Sequence, residues 1–124
     1  MPARVPSELV LAIARRESEF DPFVISPVGA RGLMQVMPKT AQEMAARVGL
    51  PYSQKRLEQD WAYNARLGIT YLEELSERYD GNPVLMSVAY NAGPSRADRW
   101  IELMGDPRKP STDVIDWIEM APFQ

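Results

Sequence analysis

The sequence contains no cysteine and no histidine. Without cysteine the chain forms no disulfide and offers no thiolate nucleophile, although an oxidising compartment remains compatible with it. Without histidine, serine–histidine and cysteine–histidine catalysis are excluded, and most catalytic zinc sites are disfavoured. Any proton transfer would therefore depend on Asp, Glu, Tyr or Lys side chains.

Basic charge and long apolar runs are also scarce. The formal net charge is −3, whereas binding along a phosphate backbone normally requires a basic surface, so we predict no nucleic-acid partner. No apolar run approaches the ~20 residues of a membrane span, and the N-terminus lacks the basic and apolar regions of a signal peptide. The 124 residues suit one globular domain with a hydrophobic core.

Helical periodicity is what the sequence does contain, and it predicts an all-α fold. Apolar residues spaced three and four apart alternate with helix stops, and no β-type alternation of useful length occurs. On the third helix, Trp61 is assigned to the buried stripe, and Gly68 predicts a close helix crossing. Four helices are predicted at 7–20, 38–48, 61–79 and 83–92, and Ser7 is the predicted cap of the first. Two further helices are predicted to begin at caps formed by Ser95 and Thr112. Residues 50–59 are predicted to be a linker.

Glu17 occupies a position where a carboxylate is unexpected. At ~100° per residue, the apolar stripe of Val10, Ile13 and Ala14 leads directly to it, so Glu17 should face inward. Loss of hydration disfavours the charged form of a carboxylate, which suits a general acid. The alternative is a buried glutamate satisfied by a backbone amide or an arginine. Glu19 lies on the opposite side of the helix and should face solvent.

A loop with several apolar residues follows the first helix and is expected to pack partly inward. Residues 23–37 show no sustained helical period, and we predict an ordered loop with a short helical turn at its end. Gly29 and Gly32 either supply positive φ or let a ligand approach the backbone closely, and the alternative is that both are ordinary turn residues. Asp21 precedes a proline and is interpreted as a turn residue.

Three segments follow one another in the order ESEF with the next Asp-Pro, SPVGARGLMQVMP, and AYNAGP. Together they resemble the catalytic domain of the soluble lytic transglycosylases, which shares the lysozyme-like fold with goose-type lysozymes. The resemblance implies a single lysozyme-like helical domain with a substrate groove over residues 1–124. It also implies an enzyme of the periplasm or cell envelope that cleaves the β-1,4 bond between N-acetylmuramic acid and N-acetylglucosamine in peptidoglycan strands. No metal and no organic cofactor are implied.

By position, Glu17 matches the catalytic acid/base of that family. The resemblance implies that it protonates the glycosidic oxygen and then takes the proton of the muramic C6 hydroxyl, which leaves a 1,6-anhydro end. The substrate's own N-acetyl group would support the cationic intermediate, so a second catalytic carboxylate is unnecessary. The residues that match the family's substrate groove are Ser26, Gln35, Met37, Tyr90, Asn91 and Glu119.

The groove residues have a second interpretation. Tyr90 would otherwise be a core aromatic with a satisfied hydroxyl, and Glu119 would be exposed surface. Gln35 and Asn91 would otherwise tie loops together.

Related domains continue past the Pro-Phe at 122–123 into a further helix, so we expect completion by another segment or chain at the C-terminus. The rival functions are a lysozyme-like hydrolase with water as acceptor and a non-catalytic peptidoglycan-binding domain of a secretion or phage assembly.

Overall fold

The computed structural model describes residues 5–109. Within that range the chain forms helices and two isolated β-bridges but no strand, so the predicted all-α class is confirmed. The predicted last helix lies outside the described residues. The helices are α1 (Ser7–Ser18), α2 (Pro38–Val48), α3 (Gln54–Gln59), α4 (Trp61–Arg78), α5 (Pro83–Ala92) and α6 (Pro94–Met104).

The chain divides into two compact units. The first is Val5–Glu73, which contains α1, α2, α3, most of α4 and the loop that follows α1. The second begins at Glu74 and contains the end of α4 with α5 and α6. The largest fully buried side chains of the first unit are Met34, Leu57, Asn64, Leu67 and Leu72, and those of the second are Leu75, Tyr79, Leu85, Met86 and Val88.

Helix α1 begins where predicted but ends two residues earlier. Pro6, rather than Ser7, occupies the N-cap position, and its carbonyl oxygen accepts the first backbone hydrogen bonds of the helix. Glu19 and Phe20 both adopt left-handed φ angles, of 52° and 63°. Each such residue costs about 1–2 kcal/mol without a glycine, so the surrounding contacts must hold this turn in place.

Helices α2 and α5 have the predicted bounds because their ends carry strong local signals. Both start with a proline, whose fixed φ suits the first helical position. Asn82 caps α5 by accepting hydrogen bonds from the N–H groups of Val84 and Leu85 at 3.0 and 3.1 Å. Gly49 ends α2 with a φ of 73°. The predicted Ser95 cap of α6 is wrong, because α6 starts at Pro94 after Gly93.

Helix α3 occupies most of the segment that was predicted to be a linker. The Ser53 hydroxyl accepts a hydrogen bond from the N–H of Arg56 at 3.2 Å, which caps the helix. Leu57 is fully buried and anchors the six-residue helix to the first unit. One buried side chain in six residues gives no period that could be recognised in the sequence.

The first half of helix α4 buries a different face from the predicted one. Trp61 is 61% exposed, whereas Asn64 and Leu67 are fully buried and Gly68 is buried with them. A Cβ atom added at Gly68 would lie 2.8 Å from the Cβ atom of Met34 in the loop. The close approach that explains Gly68 is therefore made by the loop and not by a crossing helix.

In the second unit, Asp98 joins α6 to the end of α4. Its carboxylate accepts hydrogen bonds from the Tyr79 hydroxyl at 2.8 Å and from the Arg78 guanidinium. Burial, together with the hydrogen bond to Asp98, raises the pKa of Tyr79 to about 12. Burial alone would raise the pKa of Asp98, but the hydrogen bonds from Arg78 and Tyr79 hold it below its ordinary value.

We expect Asp98 to contribute to a loss of stability in acid. A carboxylate whose pKa is lower in the folded state stabilises the fold above its unfolded pKa of about 4, and this contribution is lost as the pH falls through the folded value. Asp98→Asn should lower the Tm by a few degrees at neutral pH and flatten its decline in acid. Circular dichroism melts from neutral to acidic pH measure both effects. Glu102→Gln, at an exposed position of α6, is the control, and parallel curves for parent and Asp98→Asn would contradict the expectation.

Candidate functional site

Glu17 lies in the last turn of α1 and is half-buried. Ile13 and Ala14 on the same helix are buried, and Glu19 is exposed as predicted. At ~100° per residue Glu17 lies between Ile13 and Ala14 on this buried side of α1, as predicted, although it is half-buried rather than fully buried.

Ser18 ties this last turn of α1 to the loop. Its hydroxyl lies 2.8 Å from the carbonyl oxygen of Ala14 and 2.5 Å from that of Leu33, so one proton is shared between a helix acceptor and a loop acceptor. The side chain is 8% exposed. The residue that follows Glu17 is therefore fixed to the middle of the loop.

The loop from Phe23 to Met37 is built from turns and bridges, and the short helical turn predicted at its end is absent. Arg31 pairs with Val36 through two backbone hydrogen bonds of 3.0 Å and forms a second bridge with Ile25. Gly29 and Gly32 have positive φ angles of 94° and 78°, which turn glycines also adopt, so approach of a ligand to this backbone stays a prediction. Before the loop, Asp21 accepts a hydrogen bond from the N–H of Phe23 at 2.9 Å, which confirms it as a turn residue.

Two of the predicted groove residues shape the loop themselves. The Ser26 hydroxyl accepts a hydrogen bond from the N–H of Ala30 at 3.1 Å and closes the first turn. The Gln35 Nε2 atom donates to the carbonyl oxygens of Val24 and Gly32, both at 2.9 Å. The interpretation of Gln35 as a residue that ties the loop together is therefore confirmed. Contact of either side chain with a glycan stays a prediction.

The other predicted groove residues are distributed along the chain. Met37 is the last residue of the loop, precedes α2 and is 41% exposed. Tyr90 and Asn91 are half-buried in the last turn of α5, which belongs to the second unit. Glu119 lies outside the described residues. The first unit thus contains Glu17 together with Ser26, Gln35 and Met37.

Asn64 is the residue of this region that sequence reasoning missed. Its side chain is fully buried on α4, and its Nδ2 atom donates to the carbonyl oxygens of Arg31 at 2.7 Å and Leu57 at 3.1 Å. Its Oδ1 atom accepts the N–H of Met34 at 2.9 Å. A Cβ atom added at Gly32 would overlap the Asn64 side-chain amide. The available signal was a lone Asn on the same helix face as Gly68, one turn away.

An ion pair connects the loop to α3. The Arg31 guanidinium donates a hydrogen bond to the Glu58 carboxylate, and the two side chains are 18% and 26% exposed. This hydrogen bond holds the pKa of Glu58 below its ordinary value. The same guanidinium also donates to the carbonyl oxygen of Gly29, so Arg31 fixes both α3 and the first turn of the loop.

Neither a metal cluster nor a membrane-spanning helix is found in residues 5–109. No group of three or more acidic side chains in this range could hold a metal ion. The helices of the same range are too short or too polar to cross a membrane.

Comparison with known proteins identifies a family. The sequence profile of the Transglycosylase SLT domain matches residues 2–111. The soluble lytic murein transglycosylase of Escherichia coli K12 is 37% identical over 120 residues, which cover 96% of this chain and 18% of that protein. The membrane-bound lytic murein transglycosylase D of the same strain is 30% identical over 109 residues, which cover 88% of this chain and 23% of that protein.

Solved structures of soluble lytic transglycosylases share the fold. The 70 kDa enzyme of Escherichia coli superposes with a TM-score of 0.85 at 37% identity, over 98% of this chain and 19% of that one. An inactive mutant of the Pseudomonas aeruginosa enzyme, with glutamate replaced by glutamine, superposes with a TM-score of 0.83 at 39% identity, over 97% and 19%. The chain spans about a fifth of the length of these relatives.

These matches agree with the order of the three sequence segments and with the helical structure. The relatives named above are all lytic transglycosylases, and such proteins are enzymes, so the predicted enzyme class is the class of the family. The match extends over most of the chain and includes the helix of Glu17, the loop and α5. The chain belongs to the family of the Transglycosylase SLT domain, found in the lytic murein transglycosylases.

Proposed function

We propose that residues 1–124 form the catalytic domain of a peptidoglycan lytic transglycosylase of the periplasm or cell envelope. The observation that carries the proposal is the position of Glu17. Glu17 is half-buried in the last turn of α1, and the hydroxyl of the neighbouring Ser18 is hydrogen-bonded to the loop that contains Gln35. Family membership and the helical fold add support.

In the proposed reaction, Glu17 is the only protein group that transfers a proton. Its carboxyl group donates a proton to the oxygen that bridges muramic acid and glucosamine, and the bond from the muramic C1 atom to that oxygen breaks. The C6 hydroxyl of the same muramic acid then bonds to C1, and its proton returns to the Glu17 carboxylate. No water is consumed, and the enzyme ends the cycle in its starting protonation state.

One carboxylate is enough for this reaction if the substrate's acetamido group supports the cationic intermediate. The two acids that are nearest to Glu17 in the sequence have other positions. Asp21 is exposed and caps a turn. Glu19 lines a surface groove on the outer face of α1 with Leu11 and Arg15, away from the buried Ile13.

A relative supports the single-glutamate assignment. The mutant of the Pseudomonas aeruginosa enzyme with glutamate replaced by glutamine is inactive. Glutamine keeps the shape of the side chain and lacks the acidic proton, so that relative depends on the chemistry of one carboxyl group. We assign the equivalent role in this chain to Glu17.

The loop supplies the proposed glycan contacts of the first unit. Since Gln35 uses Nε2 on two loop carbonyls, its amide oxygen is the atom that we propose meets the sugar. Ser26 and the exposed Met37 are proposed as neighbouring contacts. The family resemblance supports Tyr90, Asn91 and Glu119 as further contacts, and completion by another segment at the C-terminus stays a prediction.

Digestion of purified sacculi by this chain, followed by mass spectrometry of the released fragments, tests the proposal. We expect muropeptides with 1,6-anhydro ends, which are lighter by one water than the products of a hydrolase. Fragments with a reducing muramic end would instead indicate a lysozyme-like hydrolase. Binding to sacculi without release of fragments would indicate a non-catalytic domain, and either result would contradict the proposal.

A further inference from the structure

We propose that Asn64 is a positioning residue for this site, which from α4 fixes the loop segment 31–34 and thereby the relation between Glu17 and Gln35. Asn64 has no atom in the proposed reaction and acts through the backbone of the loop. The catalytic part of the inference rests on the proposed function, and its structural part stands on the contacts themselves.

The Asn64 side chain makes three hydrogen bonds, all to backbone groups. Both amide hydrogens are donated, to Arg31 in the loop and to Leu57 in α3, and the amide oxygen accepts the N–H of Met34. The side chain is fully buried, so no water competes for these bonds. Three backbone groups from two chain segments are therefore held by one rigid amide plane.

Two glycines make this close fit between the loop and α4 sterically feasible. The Asn64 amide fills the space that a Cβ atom at Gly32 would occupy. Conversely, the Met34 side chain fills the space above Gly68, where an added Cβ atom would lie 2.8 Å from the Met34 Sδ atom. The loop and the helix thus each present one glycine to one side chain of the other, which defines a single register between them.

The loop segment 31–34 is also hydrogen-bonded to α1, the helix that contains Glu17. Leu33, between the two residues that Asn64 holds, directs its carbonyl oxygen to the Ser18 hydroxyl. Gln35 in turn donates to the carbonyl oxygen of Gly32. A shift of this segment would therefore move Gln35 directly and the last turn of α1 through Ser18. Displacements near 1 Å can lower a catalytic rate by about 100-fold, so this geometry matters for turnover.

The test compares Asn64→Asp and Asn64→Ala with Leu72→Ala, a control that removes a fully buried side chain farther along α4. Asn64→Asp keeps the size and the acceptor of the side chain but loses both donated amide hydrogens. At a temperature where circular dichroism shows all variants folded, we expect both Asn64 variants to lower kcat at least tenfold, roughly, with a smaller change in KM. Leu72→Ala should retain kcat.

Hydrogen exchange gives a second readout that requires no turnover. In Asn64→Ala, which also removes the acceptor of the Met34 N–H, faster exchange should appear at the Met34 amide and extend to the amides of the last turn of α1, and Leu72→Ala should not show this pattern. Retained kcat in Asn64→Asp, or equal losses in Leu72→Ala, would overturn the positioning role. If the parent chain releases no fragments, the proposed function fails. The positioning role is then tested by hydrogen exchange alone, and faster exchange confined to the Met34 amide would overturn it.

Discussion

Glu17→Gln is expected to lower the release of peptidoglycan fragments at least 100-fold, roughly, because a positioned general acid typically contributes a factor of about 100 to 10,000. The substitution keeps the shape of the side chain and removes the proton that the leaving oxygen needs. Glu17 is half-buried at the end of α1, so the fold should tolerate the neutral amide. Fragment release from sacculi measures the loss of activity. Circular dichroism melts of the same samples check that the fold is retained.

Glu19→Gln is the matched control for this prediction. It makes the same chemical change two residues away, on the exposed face of α1. We expect activity close to that of the parent, because Glu19 ends the helix through its backbone rather than its carboxylate. Equal losses in the two variants would show that a general charge effect, and not proton transfer by Glu17, explains the result.

Gly32→Ala should destabilise the first unit more than a glycine substitution that adds backbone strain alone. The left-handed φ of 78° costs about 1–2 kcal/mol for a non-glycine residue, and displacement of the buried Asn64 amide leaves polar groups unpaired at a further cost of about 1–3 kcal/mol. The free energy of unfolding should therefore fall by about 2–5 kcal/mol. Denaturant titration followed by circular dichroism measures this change.

Gly49→Ala separates backbone strain from steric overlap. Gly49 has a similar φ of 73°, but no atom lies within 4 Å of an added Cβ atom. Only the conformational cost of about 1–2 kcal/mol is expected there. A loss for Gly32→Ala no larger than that for Gly49→Ala would contradict the assigned contact between Gly32 and Asn64.

Local signals explain which helices could be predicted. The starts and ends of α2 and α5 follow from a proline, a glycine and, in α5, the Asn82 cap, all of which act within a few residues. Helix α3 was missed because its burial depends on Leu57 alone. The exposed Trp61 was assigned to the core because periodicity does not show which face of a long helix the neighbouring segments cover.

The residues of the candidate site also differ in how far local sequence signals predict them. Glu17 could be recognised because its own helix and the motif around it both mark it. Ser18 could not be recognised, and the only signal for Asn64 was its position one turn before Gly68, because the roles of both depend on loop carbonyls 15 to 33 residues away in sequence. A buried polar side chain looks like any surface residue until its partners are known.

Digestion of sacculi in water enriched in heavy oxygen tests whether Glu17 directs the muramic C6 hydroxyl, rather than water, to the C1 atom. Every new muramic end formed by a hydrolase takes up one oxygen atom from the solvent. We expect muramic ends without heavy oxygen, in amounts that depend on Glu17. Heavy oxygen at the C1 position of the released muramic residues would contradict it.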